Sequence, residues 1–160
     1  MTEVTVPNFG ELLAPFISAV PEAAIPNFLA LLERGAAERY RHWAEQLPQF
    51  REGLLRCSSS EDEIADIVEG LFPIDAPLAE DIRVPLPAAR DTYFKVFQDM
   101  PLADQLAIQA DAELQGALAW QDMLENEVSD AIRAGLTRCS ELERESSAYL
   151  SSIIDAVRNN

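Results

Sequence analysis

Residues 27–47, NFLALLERGAAERYRHWAEQL, decide the fold class. Leu29, Leu32, Ala36, Tyr40, Trp43 and Leu47 recur at the spacing of one helix face, and Pro26 and Pro48 bound the run. Charged residues fill the opposite side, as in a helix that buries one stripe and solvates the other. No segment alternates apolar and polar residues over five or more positions, and neither Asn-Gly nor Asp-Gly occurs to turn a hairpin. The chain is expected to be all-α.

Working toward the N-terminus, Asn8 followed by Glu11 resembles a capping box. It opens an apolar face of Phe9, Leu12, Leu13, Phe16, Ile17 and Val20, bent at Pro15 and stopped by Pro21. Downstream, a short helix is expected to carry Phe50, Leu54 and Leu55. A separate helix then starts at the Ser60-x-x-Glu63 box, with Ile64, Ile67, Val68, Leu71 and Phe72 on its stripe. Residues 73–87 hold four prolines and little periodicity, which predicts an extended connection across the surface. Pro87 suits a first helical position, and Tyr93, Phe94 and Phe97 follow as an aromatic face.

From Pro101 to Val157 no proline forces a stop. Unbroken, that helix would run about 85 Å, whereas a compact chain of this size has a radius of gyration of about 15 Å. A break is therefore expected, at Gly135 ahead of the Ser140-x-x-Glu143 box, with Gly116 as the alternative. The expected architecture is a single all-helical domain over residues 1–160. It is an up-and-down bundle of six or seven helices whose long C-terminal pair spans Pro101 to about Arg133 and about Arg138 to Arg158. Leu142, Tyr149, Leu150, Ile153 and Val157 give the last helix a stripe that closes the core or, read the other way, forms the seam of a homodimer.

Acids outnumber bases 28 to 12, for a formal charge of −16. Such a surface disfavours nucleic acid and anionic lipid and favours a basic protein partner. No apolar run approaches the roughly 20 residues of a membrane span, and no basic leader precedes an apolar core, so a cytoplasmic location is the expectation. Residues 57–82 contain Glu61, Asp62, Glu63, Asp66, Glu69, Asp75, Glu80 and Asp81 without one base, and residues 101–130 are also base-free. The surplus of arginine lies in residues 34–56. The leading functional reading is a non-enzymatic interaction protein: an inhibitor, an immunity-type or anti-defence protein, or an adaptor chaperone. It would meet its partner through Glu61, Asp62, Glu63, Asp66 and Glu69 on one helix and Asp122, Glu125 and Glu127 on another.

Enzymatic readings start from fewer residues, and none names a catalytic group. The single histidine, His42, falls about 120° from the apolar stripe of its helix, on the charged face, so it is read as a solvated ion-pair member. Cys57 and Cys139 each stand in Arg-Cys-Ser ahead of an expected helix start, where arginine and the helix N-terminus would favour a thiolate and a redox role. Two cysteines cannot build a multi-bridge framework or a zinc site. Gly-rich phosphate loops, G-x-S-x-G and HExxH are absent. The sharpest enzymatic alternative is a carboxylate-bridged metal oxidoreductase of the ferritin-like kind, whose sign is Glu-x-x-His on two helices. This chain has no Glu-x-x-His. An all-carboxylate version would draw on acids such as Glu33, Asp111, Glu113 or Glu127. Another alternative is a small-molecule-sensing bundle with a pocket lined by its aromatics. No cofactor is expected under the leading reading.

Overall fold

The 27–47 stripe becomes the first long helix of the computed structural model, which describes residues 3–126 and 128–160. The described residues form seven α-helices and no strand: α1 (Phe9–Ile17), α2 (Ile25–Gln46), α3 (Arg51–Leu71), α4 (Ala76–Arg83), α5 (Leu86–Lys95), α6 (Leu102–Asp122) and α7 (Asp130–Arg158). Asn8 caps α1 as its sequence predicts, its side chain accepting from the Glu11 N–H at 3.0 Å.

Four long helices make the bundle. Asn27 reaches the Phe72 carbonyl and Ala37 meets Ser58, so α2 and α3 run antiparallel. The pair α6 and α7 is antiparallel in the same way, joined by Trp120 to Glu143 and by Ser147 to the Ala110 carbonyl. α3 packs on α7, and α2 bonds to α6 through Arg39, Trp43 and Tyr40. The two hairpins are thus linked by one long crossover that carries α4 and α5, a departure from the simple up-and-down order expected from short connections. α1 lies across α5 and α6, tied to α6 by Gln115, which accepts from the Phe9 N–H and donates to the Pro7 carbonyl.

Three expected boundaries are corrected. Residues 73–87 are not simply extended: Asp75 accepts from the Leu78 N–H and starts α4, its Pro77 falling where a missing N–H costs nothing. α3 does not restart at Ser60. The Ser59 and Ser60 hydroxyls bond back to the Leu55 and Arg56 carbonyls, which lets serine sit inside a continuing helix. α7 does not break at Gly135, and α6 does not break at Gly116. The chain turns between Asp122 and Ser129, whose side chain accepts from the Ile132 N–H as the true cap. Gly135 instead serves close packing, because a Cβ there would lie 2.5 Å from Leu71.

The bundle interior is not one continuous apolar core. One cluster holds Ala36, Tyr40, Trp43, Cys57, Ala110 and Leu150, and another holds Ala30, Ile64, Trp120, Leu136 and Leu142. On each of the four long helices a glutamate stands at the boundary between these clusters: Glu33, Glu61, Glu113 and Glu143. A third cluster around Phe28, Ile82 and Ala89 seats the crossover against α2.

Candidate metal centre

Each of the four glutamates occupies a stripe position of its helix. Glu61 follows Leu54 and Cys57 and precedes Ile64 and Val68, so the a/d rhythm of α3 carries it inward. Glu143 is set the same way by Leu136, Cys139 and Leu150, and Glu113 by Leu106, Gln109, Ala117 and Trp120. Glu61 has no exposed surface, and Glu113 and Glu143 are each 2% exposed. Glu33 is half-buried, borders a cavity that opens to solvent, and points its carboxylate toward the others.

Carboxylate oxygens of Glu33, Glu61 and Glu143 all lie within 4.8 Å of one another. Glu113 adjoins them, its Oε1 accepting from the Tyr40 hydroxyl at 2.5 Å and from the Gln109 side-chain N–H at 2.7 Å. Tyr93 donates to Gln109 at 2.7 Å and fixes that amide, while Trp120 Nε1–H donates to Glu143 Oε1 at 3.0 Å. The surrounding side chains thus hold two of the four carboxylates by hydrogen bonds. Glu61 is different: no backbone, hydroxyl, amide or indole donor reaches either of its oxygens, and the group it faces is the Glu33 carboxyl. An orphaned, fully buried carboxyl costs several kcal/mol unless something compensates it, and such groups are rare in native folds.

Titration follows from this crowding. Burial pushes Glu33 up to about 7, against the opposing hydrogen bond with Glu61 and with added repulsion from Glu113. Burial first, and then the neighbouring carboxylates, hold Glu61 and Glu143 well above the ordinary carboxylate range. The Tyr40 hydroxyl is raised by burial and by Glu113. No arginine, lysine or histidine lines the adjoining cavity among the described residues. The group must therefore hold protons or take a cation.

The donor set is all oxygen. Three residues after Glu61 and Glu143, where Glu-x-x-His would supply nitrogen, stand the buried Ile64 and Ser146. Carboxylate-only sites suit hard cations such as manganese, magnesium and iron, with less preference for zinc or copper than imidazole or thiolate would give.

Comparison with family models, with characterised proteins and with solved structures finds no match for this chain. The site therefore rests on its own geometry.

The sequence-predicted residues fall into several groups. Glu33 and Glu113 belong to the cluster. Asp111 does not: it accepts from Gln115 at 2.8 Å and serves the contact between α1 and α6. Glu61 was placed on a partner-binding face, and its burial corrects that placement, because a carboxylate with no exposed surface cannot touch a partner. Asp62, Asp66 and Glu69 converge on Arg34 at 3.3, 2.8 and 3.0 Å, and Asp62 also meets Arg41. Glu63 pairs with Arg138 at 3.3 Å. The base-free acids of α3 are thus answered by α2 and α7. Asp122 and Glu125 are exposed at the end of α6, and Glu127 lies outside the described residues.

Cys57 and Cys139 are buried in mid-helix, and burial pushes both thiols up to about 12. The expected thiolate chemistry lacks its physical basis, because neither cysteine sits at a helix start. His42 is exposed, as its helix angle predicts.

Glu61 and Glu143 are the cluster members that sequence reasoning missed. Both carry a readable mark: an acid on the apolar stripe with buried residues one turn to either side. The S-x-x-E reading at Ser60 and Ser140 masked it, because it started new helices there and removed the stripe's continuity.

Proposed function

We propose that this protein is a metal-dependent oxidoreductase of the carboxylate-bridged kind, with Glu33, Glu61, Glu113 and Glu143 as the metal-binding residues. The observation that carries the reading is Glu61, fully buried, reached by no donor from the backbone or a non-acidic side chain, and facing the carboxylates of Glu33 and Glu143. A cation is the economical partner for such a group. Two divalent ions would balance four carboxylates, and glutamates projecting inward from facing helices are the recurrent means of holding them in bundles. The connectivity, two antiparallel hairpins joined by one long crossover, is that of ferritin-like bundles and supports the same reading.

Oxidoreduction fits better than hydrolysis. The cavity beside the cluster is walled by Phe9, Leu13, Ile17, Leu29 and Leu32, which favours small apolar reactants over water and anionic esters. A bound metal pair would supply redox chemistry to a molecule held there. The chain's own part is to fix the ligands: Tyr40 and Gln109 orient Glu113, and Trp120 orients Glu143.

Metal analysis of protein purified without chelator tests this. Iron or manganese near one or two equivalents, lost in Glu61→Gln and Glu143→Gln, is the expected result. Sub-stoichiometric iron, manganese and zinc after reconstitution would overturn it.

A second reading keeps the acidic exterior as a docking face for a basic protein, supported by the net charge of −16 and by exposed Asp66, Asp122 and Glu125. Its test is partner capture at about 0.05 M and about 0.5 M salt, where equal capture excludes electrostatic steering.

A further inference from the structure

The cavity beside the glutamates has a volume of about 270 Å³. It is open to solvent on one side, where Gly10 and Ala119 are exposed. Its lining is mostly apolar, drawn chiefly from α1, α2 and α6, and includes Glu33, Glu113 and Glu143. Small residues keep it open. A Cβ at Gly116 would lie 2.5 Å from a Glu143 oxygen, so only glycine leaves this carboxylate its room beside the cavity. α1 contributes Phe9, Leu13 and Ile17 to the lining and is hydrogen-bonded to α6 through Gln115.

We propose that this cavity binds an uncharged, largely apolar small molecule with a single oxygen at one end, an alcohol or aldehyde. The hydrocarbon lies under α1 and the oxygen points to the glutamates. Apolar character follows from the walls. A carboxylate head would meet Glu33, Glu113 and Glu143, with no cationic side chain along the lining to offset them. The placement of the oxygen rests on the metal reading above, whereas the apolar chain does not.

Calorimetric titration of 1-octanol into metal-free and manganese-loaded protein, with Trp120 fluorescence followed in parallel, tests the proposal. Trp120 lines the cavity and Trp43 does not, so a spectral change reports occupancy. One-to-one binding is expected, at least tenfold tighter than octanoate in the metal-free protein. Ala112→Phe fills the cavity and Ala119→Trp narrows it; each is expected to weaken octanol at least tenfold while manganese binding is unchanged. Manganese binding without octanol binding overturns this proposal and leaves the metal reading standing. Octanol binding without manganese binding overturns the metal reading and supports the apolar ligand. Octylammonium binding more tightly than octanol, in competition with manganese, overturns the uncharged class. Octanol affinity unchanged in both variants places the ligand elsewhere and overturns the site.

Discussion

At the scale of the residue, Glu61 is a fully buried acid within a crowded group of carboxylates. Its burial and its neighbours raise its folded pKa above the ordinary carboxylate value of 4.5. The native state therefore retains a proton that the unfolded chain releases, and stability falls as pH rises through this range. Glu33, pushed up to about 7, acts in the same direction between about pH 4.5 and 7. Glu61→Gln removes the acid without changing its shape. In chelator, the variant is expected to be more stable than wild type by on the order of 1–3 kcal/mol at about pH 8, with a smaller gap at about pH 5. Urea denaturation at both pH values measures this, and a variant less stable than wild type at about pH 8 would contradict it. The same substitution should abolish metal binding. Glu33 and Glu113 were legible as inward acids because each borders or follows apolar neighbours in the sequence. Glu61 was hidden among seven other acids in a base-free run, where composition suggested a solvated face.

At the scale of the element, glycine and serine were the residues most easily misread. Gly135 and Ser60 look like punctuation, yet both lie inside long helices whose neighbours require small or back-bonding side chains. Gly53 makes the point most strongly, because a Cβ there would fall 1.9 Å from the Tyr149 ring. Gly53→Ala adds intrinsic helix propensity of about 1 kcal/mol, but it must displace a ring whose hydroxyl donates to the Phe50 carbonyl. The contact is expected to dominate, with a net loss of about 1–3 kcal/mol. Tyr149→Ala should suppress that loss in a double-mutant cycle followed by thermal denaturation. An unchanged or raised melting temperature in Gly53→Ala alone would show that α3 and α7 do not approach so closely.

At the scale of the whole molecule, the polar layer divides the bundle core into two apolar halves. A native state that binds cations across that layer, and an unfolded state that does not, must be stabilised by mass action. Adding manganese at about a hundred times its dissociation constant is expected to stabilise wild type by about 2.7 kcal/mol. For a chain of this size that is a rise of several degrees in melting temperature, and it should be absent in Glu61→Gln. A shift of equal size in the variant would assign the effect to the acidic exterior. That exterior is itself a tertiary product. Arg34 and Arg41 from α2 and Arg138 from α7 answer acids of α3 that look unopposed in the linear text.

The sequence by itself determined that the chain is helical and where most helices begin. Apolar spacing and proline are local properties, written within a few residues of where they act. It also determined that no buried imidazole would be on offer as a ligand, since its one histidine lies on a charged face. Only the tertiary structure decided which acids face inward together, because Glu33, Glu61, Glu113 and Glu143 come from four helices spread over more than a hundred residues. Their meeting depends on helix register and packing, which are set by close approaches such as Gly135 against Leu71.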